Sequence, residues 1–275
     1  MSLPAHVSQP DAVVVCERAA RAGGDVLLDW LGRFSPQKKG PRDLVTEADF
    51  ASQREIRRVV SEAFPEHGFV GEEAEGGVRQ PPPGAAGHAG AGLRWIVDPL
   101  DGTTNYVHGF PAWCVSVALA DGDDIVAATI HDPLRNECFT AGRGRGGFLN
   151  GEPIRVPPVT DLSEALAALS FPPHVEADSP AVADFLAVIP RVHSVRRTGS
   201  TALNLAWLAC GRLHVFWARR IACWDAAAGF LIAREAGATL RSFATAEEPV
   251  PLEDPAFLVT STPDLFAAVH PLLNR

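Results

Sequence analysis

Trp95-Ile96-Val97-Asp98-Pro99-Leu100-Asp101-Gly102-Thr103-Thr104-Asn105 runs from an apolar stretch straight into two carboxylates, a glycine and two hydroxyls. The apolar run reads as a buried strand. A strand that ends in acids and continues into a Gly-Thr-Thr loop suits divalent metal and phosphate together. Carboxylates offer hard oxygen ligands for Mg²⁺, and the glycine lets backbone N–H groups approach an anion. The plainer alternative is a surface turn, since Asp-Pro and Asp-Gly are ordinary turn dipeptides.

Working outward, the 275 residues suffice for one large domain or two sub-domains. A chain of this length buries about 75% of its unfolded surface, so neither metal nor disulfide is needed merely to fold it. A formal net charge of −9 argues against nucleic acid as a partner, because tracking phosphates needs a basic excess. Cys16, Cys114, Cys138, Cys210 and Cys223 form no C-x-x-C pair, which points to reduced thiols and a cytoplasmic setting. Met1 to Gln9 lacks a secretory pattern, and no apolar run approaches the roughly 18 residues of a membrane span.

Helices are expected over Asp11–Phe34, weakened by Gly23-Gly24, and over Thr46–Phe64, with Ser35–Arg42 as a loop. Residues 76–92 (GGVRQPPPGAAGHAGAG) read as a mobile surface connector. Strands follow at 113–120, 125–131 and 137–140, then a hairpin turning at Asn150-Gly151. Pro157-Pro158 divides an N-terminal half, 1–156, from a C-terminal half, 157–275. The second half reads as strands at 165–170, 192–196, 213–217 and 256–260, with helices at 180–189, 200–209, 225–236 and 263–273. Mixed elements without a repeat favour a layered α/β or α+β fold. Gly142-Arg143-Gly144-Arg145-Gly146-Gly147 matches a dinucleotide fingerprint only formally, because a hairpin follows where a helix is required.

Acids recur in suggestive company at four places, each with an ordinary explanation as well. Thr46 to Asp49 has the spacing of a capping box. Glu72-Glu73 after Phe69-Val70 would make a solvated turn, and Asp225 a helix N-cap. Together, DLVTEAD at 43–49, GEE at 71–73, WIVDPLDGTTNYVHGFP at 95–111 and the G-x-G-x-F-x-N-G hairpin ending at 151 form a recognisable series. GSTALNLAWLACGRL at 199–213 and WDAAAGFLIAREAGATL at 224–240 complete it. From about residue 11 to its end the chain resembles the inositol monophosphatase family, magnesium-dependent, lithium-sensitive phosphomonoesterases related to fructose-1,6-bisphosphatase.

The resemblance implies a sandwich of alternating helix and sheet layers, as in sugar phosphatases, and a homodimer. It implies that Glu72, Asp98, Asp101, Asp225 and the main-chain carbonyl of Leu100 ligate two or three Mg²⁺ ions. Thr103, with Glu72 and Asp49, would position the attacking water, while Gly102, Thr103 and Thr104 hold phosphate. Gly199, Ser200 and Thr201 would line the substrate pocket, and Lys38 is a weaker match to a lysine near the site. Independently, two carboxylates about 4 Å apart repel by roughly 4 kcal/mol at an effective dielectric of 20, so converging acids call for cations. Paired metal ions about 3.5–4 Å apart suit hydrolysis of a phosphate monoester by a metal-activated water.

The family's inositol-contacting glutamate is replaced by Ala218, so an inositol phosphate is one candidate substrate among sugar-alcohol phosphates. Histidinol phosphate, fructose 1,6-bisphosphate and a 3′-phosphonucleotide are the alternatives. Arg219 and Arg220 read as solvated or as contacts for a second anionic group. A reading of another class is a non-catalytic regulatory or binding protein on the same fold.

Overall fold

Alternation along the strands explains why the chain stacks in layers. The computed structural model describes residues 11–40, 43–73, 92–172, 175–219, 221–243, 245–253 and 255–273. The N-terminal elements are α1 (Ala12–Trp30), β1 (Gln37–Gly40), β2 (Asp43–Val45), α2 (Glu47–Ala63), β3 (Gly68–Gly71), β4 (Leu93–Asp101) and α3 (Thr103–Val107). Next come β5 (Cys114–Asp121), β6 (Asp124–Asp132), β7 (Glu137–Gly142), β8 (Gly147–Leu149) and β9 (Glu152–Ile154). The C-terminal elements are β10 (Leu166–Ser170), α4 (Pro180–Val188), β11 (Ser194–Arg196), α5 (Thr201–Ala209), β12 (Val215–Ala218), α6 (Cys223–Glu235), β13 (Thr239–Ser242), β14 (Phe257–Thr260) and α7 (Pro263–Leu273).

A seven-stranded sheet runs β3-β4-β5-β6-β7-β8-β9, antiparallel except where β3 pairs β4. A five-stranded sheet runs β11-β10-β12-β14-β13, with β10 parallel to both β11 and β12. Successive residues of a strand face opposite sides. In β4, Trp95 and Val97 therefore pack with α1 and α2, while Ile96 joins the core around α5 and α6. In β12, Phe216 and Ala218 face that same middle layer, whereas Val215 and Trp217 face α4 and α7. The result is an alternating sandwich in which α5 and α6 lie between the two sheets. Among the described residues no helix is long and apolar enough to cross a membrane.

Two expectations are corrected here. Gln37 to Gly40 is a strand, not loop, because its backbone pairs with Asp43–Val45 in a two-stranded ribbon that needs no apolar face. The Gly23-Gly24 pair does not weaken α1. A Cβ on Gly23 would stand 2.8 Å from Ile56, and one on Gly24 2.7 Å from His131, so the pair lets α1 close onto α2 and β6. The structure also shows β3, the short α3 and β13, which the sequence reading did not draw. Residues 76–91, Arg220 and the side chains of Lys38 and Lys39 lie outside the described residues.

Candidate active site

β4 carries the first two acids, and a β-bulge aims both. Asp98 pairs Ser116 and Asp101 pairs Cys114, so three steps on β4 oppose two on β5. Residues three apart on a regular strand would point to opposite faces; the extra residue cancels that half-turn. Pro99, which has no N–H to give the ladder, sits in the bulge. Asp98 Oδ1 accepts a hydrogen bond from Leu100 N at 2.9 Å, which fixes its rotamer.

Asp101 is met by α5. Its Oδ2 accepts from Ser200 Oγ and from Ala202 N, each at 2.6 Å. Asp225 comes from the first turn of α6. Its expected role as N-cap is overturned: Ala222 is the cap residue and makes no side-chain bond, because the helix begins one residue before Trp224. The Asp225 side chain is thereby released toward Asp98, whose carboxyl its charge helps to raise. Glu72 follows β3, and its N–H reaches Val97 O at 3.1 Å. Gln53 on α2 clamps the next residue, its amide bonding the N–H and carbonyl of Glu73. The sequence reading passed over Gln53, whose only signal was a polar residue on the apolar side of α2.

The two explanations of Asp49 turn out to be compatible. Asp49 Oδ2 accepts from Thr46 N at 2.8 Å and from Thr46 Oγ1 at 2.7 Å, closing the capping box. Its Oδ1 accepts from Thr103 Oγ1 at 3.2 Å, and the same hydroxyl lies 3.2 Å from Leu100 O. Gly102, at φ +100°, turns the chain from β4 into α3; a Cβ there would stand 2.9 Å from Ala112 O. Asn105 Nδ2 then ties α3 to Ala112 O at 2.6 Å and Thr198 O at 2.9 Å. Gly199 follows, Ser200 caps α5, and the Thr201 hydroxyl meets Ser170 Oγ at 2.9 Å.

Electrostatics bind the acids into one group. Burial first, then the charges of Glu72, Asp101 and Asp225, raise the Asp98 carboxyl well above its ordinary range. Burial likewise raises Asp225, with Asp101 and Glu72 adding to it. Asp101 is raised by burial to about 6, although the bonds from Ser200, Ala202 and Thr201 pull the other way. Among the described residues no three His, Cys, Asp or Glu side chains are arranged as they stand to hold an ion together. Glu72, Asp101 and Asp225 are nonetheless near enough for their charges to raise the Asp98 carboxyl, and a cation would replace the proton it holds. All the donors are hard oxygens, which suits Mg²⁺ better than a thiophilic metal.

Arg219 is neither solvated nor turned toward this group. It lies past the end of β12 and binds Asp184 through Nε at 2.5 Å and Leu273 O through Nη2 at 2.6 Å, with its guanidinium over the Phe243 ring. Strand alternation sends Ala218 to the middle layer and Arg219 to the far side of the sheet. Arg219→Met should lower stability by about 2 kcal/mol, since buried Asp184 loses its partner. Thermal unfolding measures that loss; a change in substrate KM instead would return Arg219 to the site. The Gly142–Gly147 turn binds an anion of its own making, with Gly144 N and Gly146 N donating to the Glu235 carboxylate at 2.7 and 2.8 Å.

Comparison with known proteins agrees with this architecture. The profile of the inositol monophosphatase family matches residues 9–275. An inositol-1-monophosphatase of Rhizobium meliloti is 43% identical over 228 residues, covering 82% of each chain. A protein named Nus factor SuhB from Xylella fastidiosa is 37% identical over 245 residues, covering 88% of this chain and 85% of its own. The crystal structure of extragenic suppressor protein suhB from Bartonella henselae superposes with a TM-score of 0.86 at 33% identity, covering 96% of this chain and 99% of that one.

Proposed function

Because the chain belongs to the inositol monophosphatase family, we propose that it is a Mg²⁺-dependent hydrolase of small phosphate monoesters. The observation that carries this reading is the convergence on buried Asp98 of the charges of Glu72, Asp101 and Asp225, brought from three separate parts of the chain. These carboxylates, with the Leu100 carbonyl, would hold two or three ions. When bound, the ions cancel the carboxylate charge and polarise the phosphoryl group.

The remaining chemistry belongs to the side chains. Thr103 donates its hydroxyl proton to Asp49 Oδ1, leaving an oxygen lone pair to accept a hydrogen from the attacking water. Glu72, whose charge reaches Asp98, would take that water's proton. The amides of Gly102, Thr103 and Thr104 hold phosphoryl oxygens, and Gly199 to Thr201 line the leaving-group side. In this proposal residues 1–156 contribute most of the acids and 157–275 bring Asp225, in a cytoplasmic homodimer that takes its substrate from solution.

A second reading draws on the relatives named Nus factor: a regulatory protein that does no chemistry. A cluster of mutually repelling acids around buried Asp98 and Asp101 disfavours it, because such a cluster is costly without a cation to hold. Phosphate release from a panel of sugar-alcohol phosphates, with Mg²⁺ and with EDTA, tests the proposal. Release should need the metal and should fall in millimolar lithium. No release from any monoester would leave the regulatory reading standing.

A further inference from the structure

Within the segment 199–201, Ser200 is the residue turned inward: it is 0% exposed, and its side chain ends on a carboxylate. A hydroxyl has one proton to give, and this one goes to Asp101 Oδ2 at 2.6 Å. The same hydroxyl oxygen accepts from Leu203 N at 3.2 Å and so caps α5. Ala202 N donates to Asp101 Oδ2 as well, also at 2.6 Å. Cys114, the ladder partner of Asp101 on β5, places its Sγ 4.0 Å from Oδ2 and 3.7 Å from Ser200 Oγ. A carboxylate oxygen has about two lone-pair sites, so the two short donors fill Oδ2. The start of α5 thus takes one oxygen of Asp101 and leaves Oδ1 for a cation. Asn105 Nδ2, bonded to Thr198 O at 2.9 Å, ties the loop before Ser200 to α3.

We propose that Ser200 is a positioning residue that makes Asp101 a ligand through one oxygen only and thereby favours Mg²⁺ over Ca²⁺. This rests on the metal-dependent reading above. Mg²⁺ demands near-octahedral ligands at about 2.0–2.1 Å, whereas Ca²⁺ takes carboxylates through one or both oxygens in a looser shell at about 2.3–2.6 Å. A carboxylate whose Oδ2 is occupied cannot turn to offer both oxygens. Its remaining oxygen has a fixed direction, which suits the stricter ion. Removing a partner that orients a metal ligand in this way typically changes affinity about 10- to 100-fold.

Calorimetric titration of the full chain with Mg²⁺ and with Ca²⁺, without substrate, tests the assignment. Ser200→Ala and Ser200→Gly should each weaken Mg²⁺ about 10- to 100-fold and Ca²⁺ by less than about threefold. The pair separates positioning from capping, because glycine is a better cap residue than alanine. In EDTA the alanine variant should melt below the glycine variant, while both lose Mg²⁺ alike. Ser179→Ala removes the cap of α4, where the hydroxyl accepts from Val182 N at 3.4 Å, and should leave both affinities as in the wild type. In turnover, the Mg²⁺ concentration for half-activation should rise with the calorimetric constant, and the KM for the monoester should not. Mg²⁺ affinity within about twofold of wild type in both Ser200 variants, or equal losses of Mg²⁺ and Ca²⁺, overturns the proposal. Ion binding that responds to Ser200 as expected, in a chain that releases no phosphate from any monoester, supports the assignment and overturns the hydrolase reading alone. Absence of Mg²⁺ binding by the wild type overturns both.

Discussion

Asp98→Asn is expected to lower Mg²⁺-dependent phosphate release by roughly 10³-fold, a loss of about 4 kcal/mol in transition-state stabilisation. Asp98 has 1% relative exposure and is the acid on which Glu72, Asp101 and Asp225 all act. An amide keeps the oxygen that accepts from Leu100 N, so the bulge in β4 survives. It also removes one negative charge from beside Asp225. The variant should therefore unfold no earlier than the wild type in EDTA, while losing the stabilisation that Mg²⁺ gives. That pairing separates a lost ligand from a damaged fold. Turnover within tenfold of wild type in Mg²⁺ would refute the ligand assignment.

Mg²⁺ should raise the melting temperature by several degrees more at pH 8 than at pH 5. Burial, the largest cause, holds the Asp101 carboxyl at about 6 against an ordinary 3.8. A carboxyl raised on folding contributes stability that is fully present below its unfolded value and is lost as pH rises through its folded one. For Asp101 alone that loss is about 3 kcal/mol, complete somewhat above pH 6. Asp98 and Asp225 are raised as well, so the metal-free protein carries its greatest penalty at alkaline pH. A divalent ion removes the penalty where the carboxylates are charged and must compete with protons where they are not. His67, His131 and His214 are held low by burial and destabilise in the opposite sense as pH falls below about 6.5. They lie outside the comparison because it subtracts the metal-free melt at each pH. Calorimetry with and without Mg²⁺ supplies the numbers; an equal shift at both pH values would detach the acids from the metal.

Most elements could be drawn from periodicity and caps because those signals are local. Asp11 and Thr46 cap their helices through side-chain bonds to Val13 N and Ala48 N, and the Asn150-Gly151 turn joins β8 to β9. The misses have a common cause. β1 and β2 pair with each other and show no apolar alternation, so nothing in their side chains announces a strand. Arg219 looked solvated because arginines usually are; its partners Asp184 and Leu273 lie 35 and 54 residues away. Asp225 looked like a cap because helix starts favour aspartate, and only the true start at Cys223 moves it inside the first turn.

The residues alone determined the kind of chemistry: oxygen donors, a glycine turn and hydroxyls in a series whose resemblance names a family of phosphatases. They also determined the alternation that buries β4 on both faces. The tertiary structure alone decided which acids meet. A bulge that realigns Asp98 with Asp101, a helix start that frees Asp225 and a glutamine that seats the Glu72 turn are relations between distant segments. Side-chain direction in a strand reverses with every residue, so one inserted residue or one shifted helix boundary reassigns a carboxylate to the opposite face. Spacing in the chain cannot record that choice, because it is made only when the sheets and helices pack.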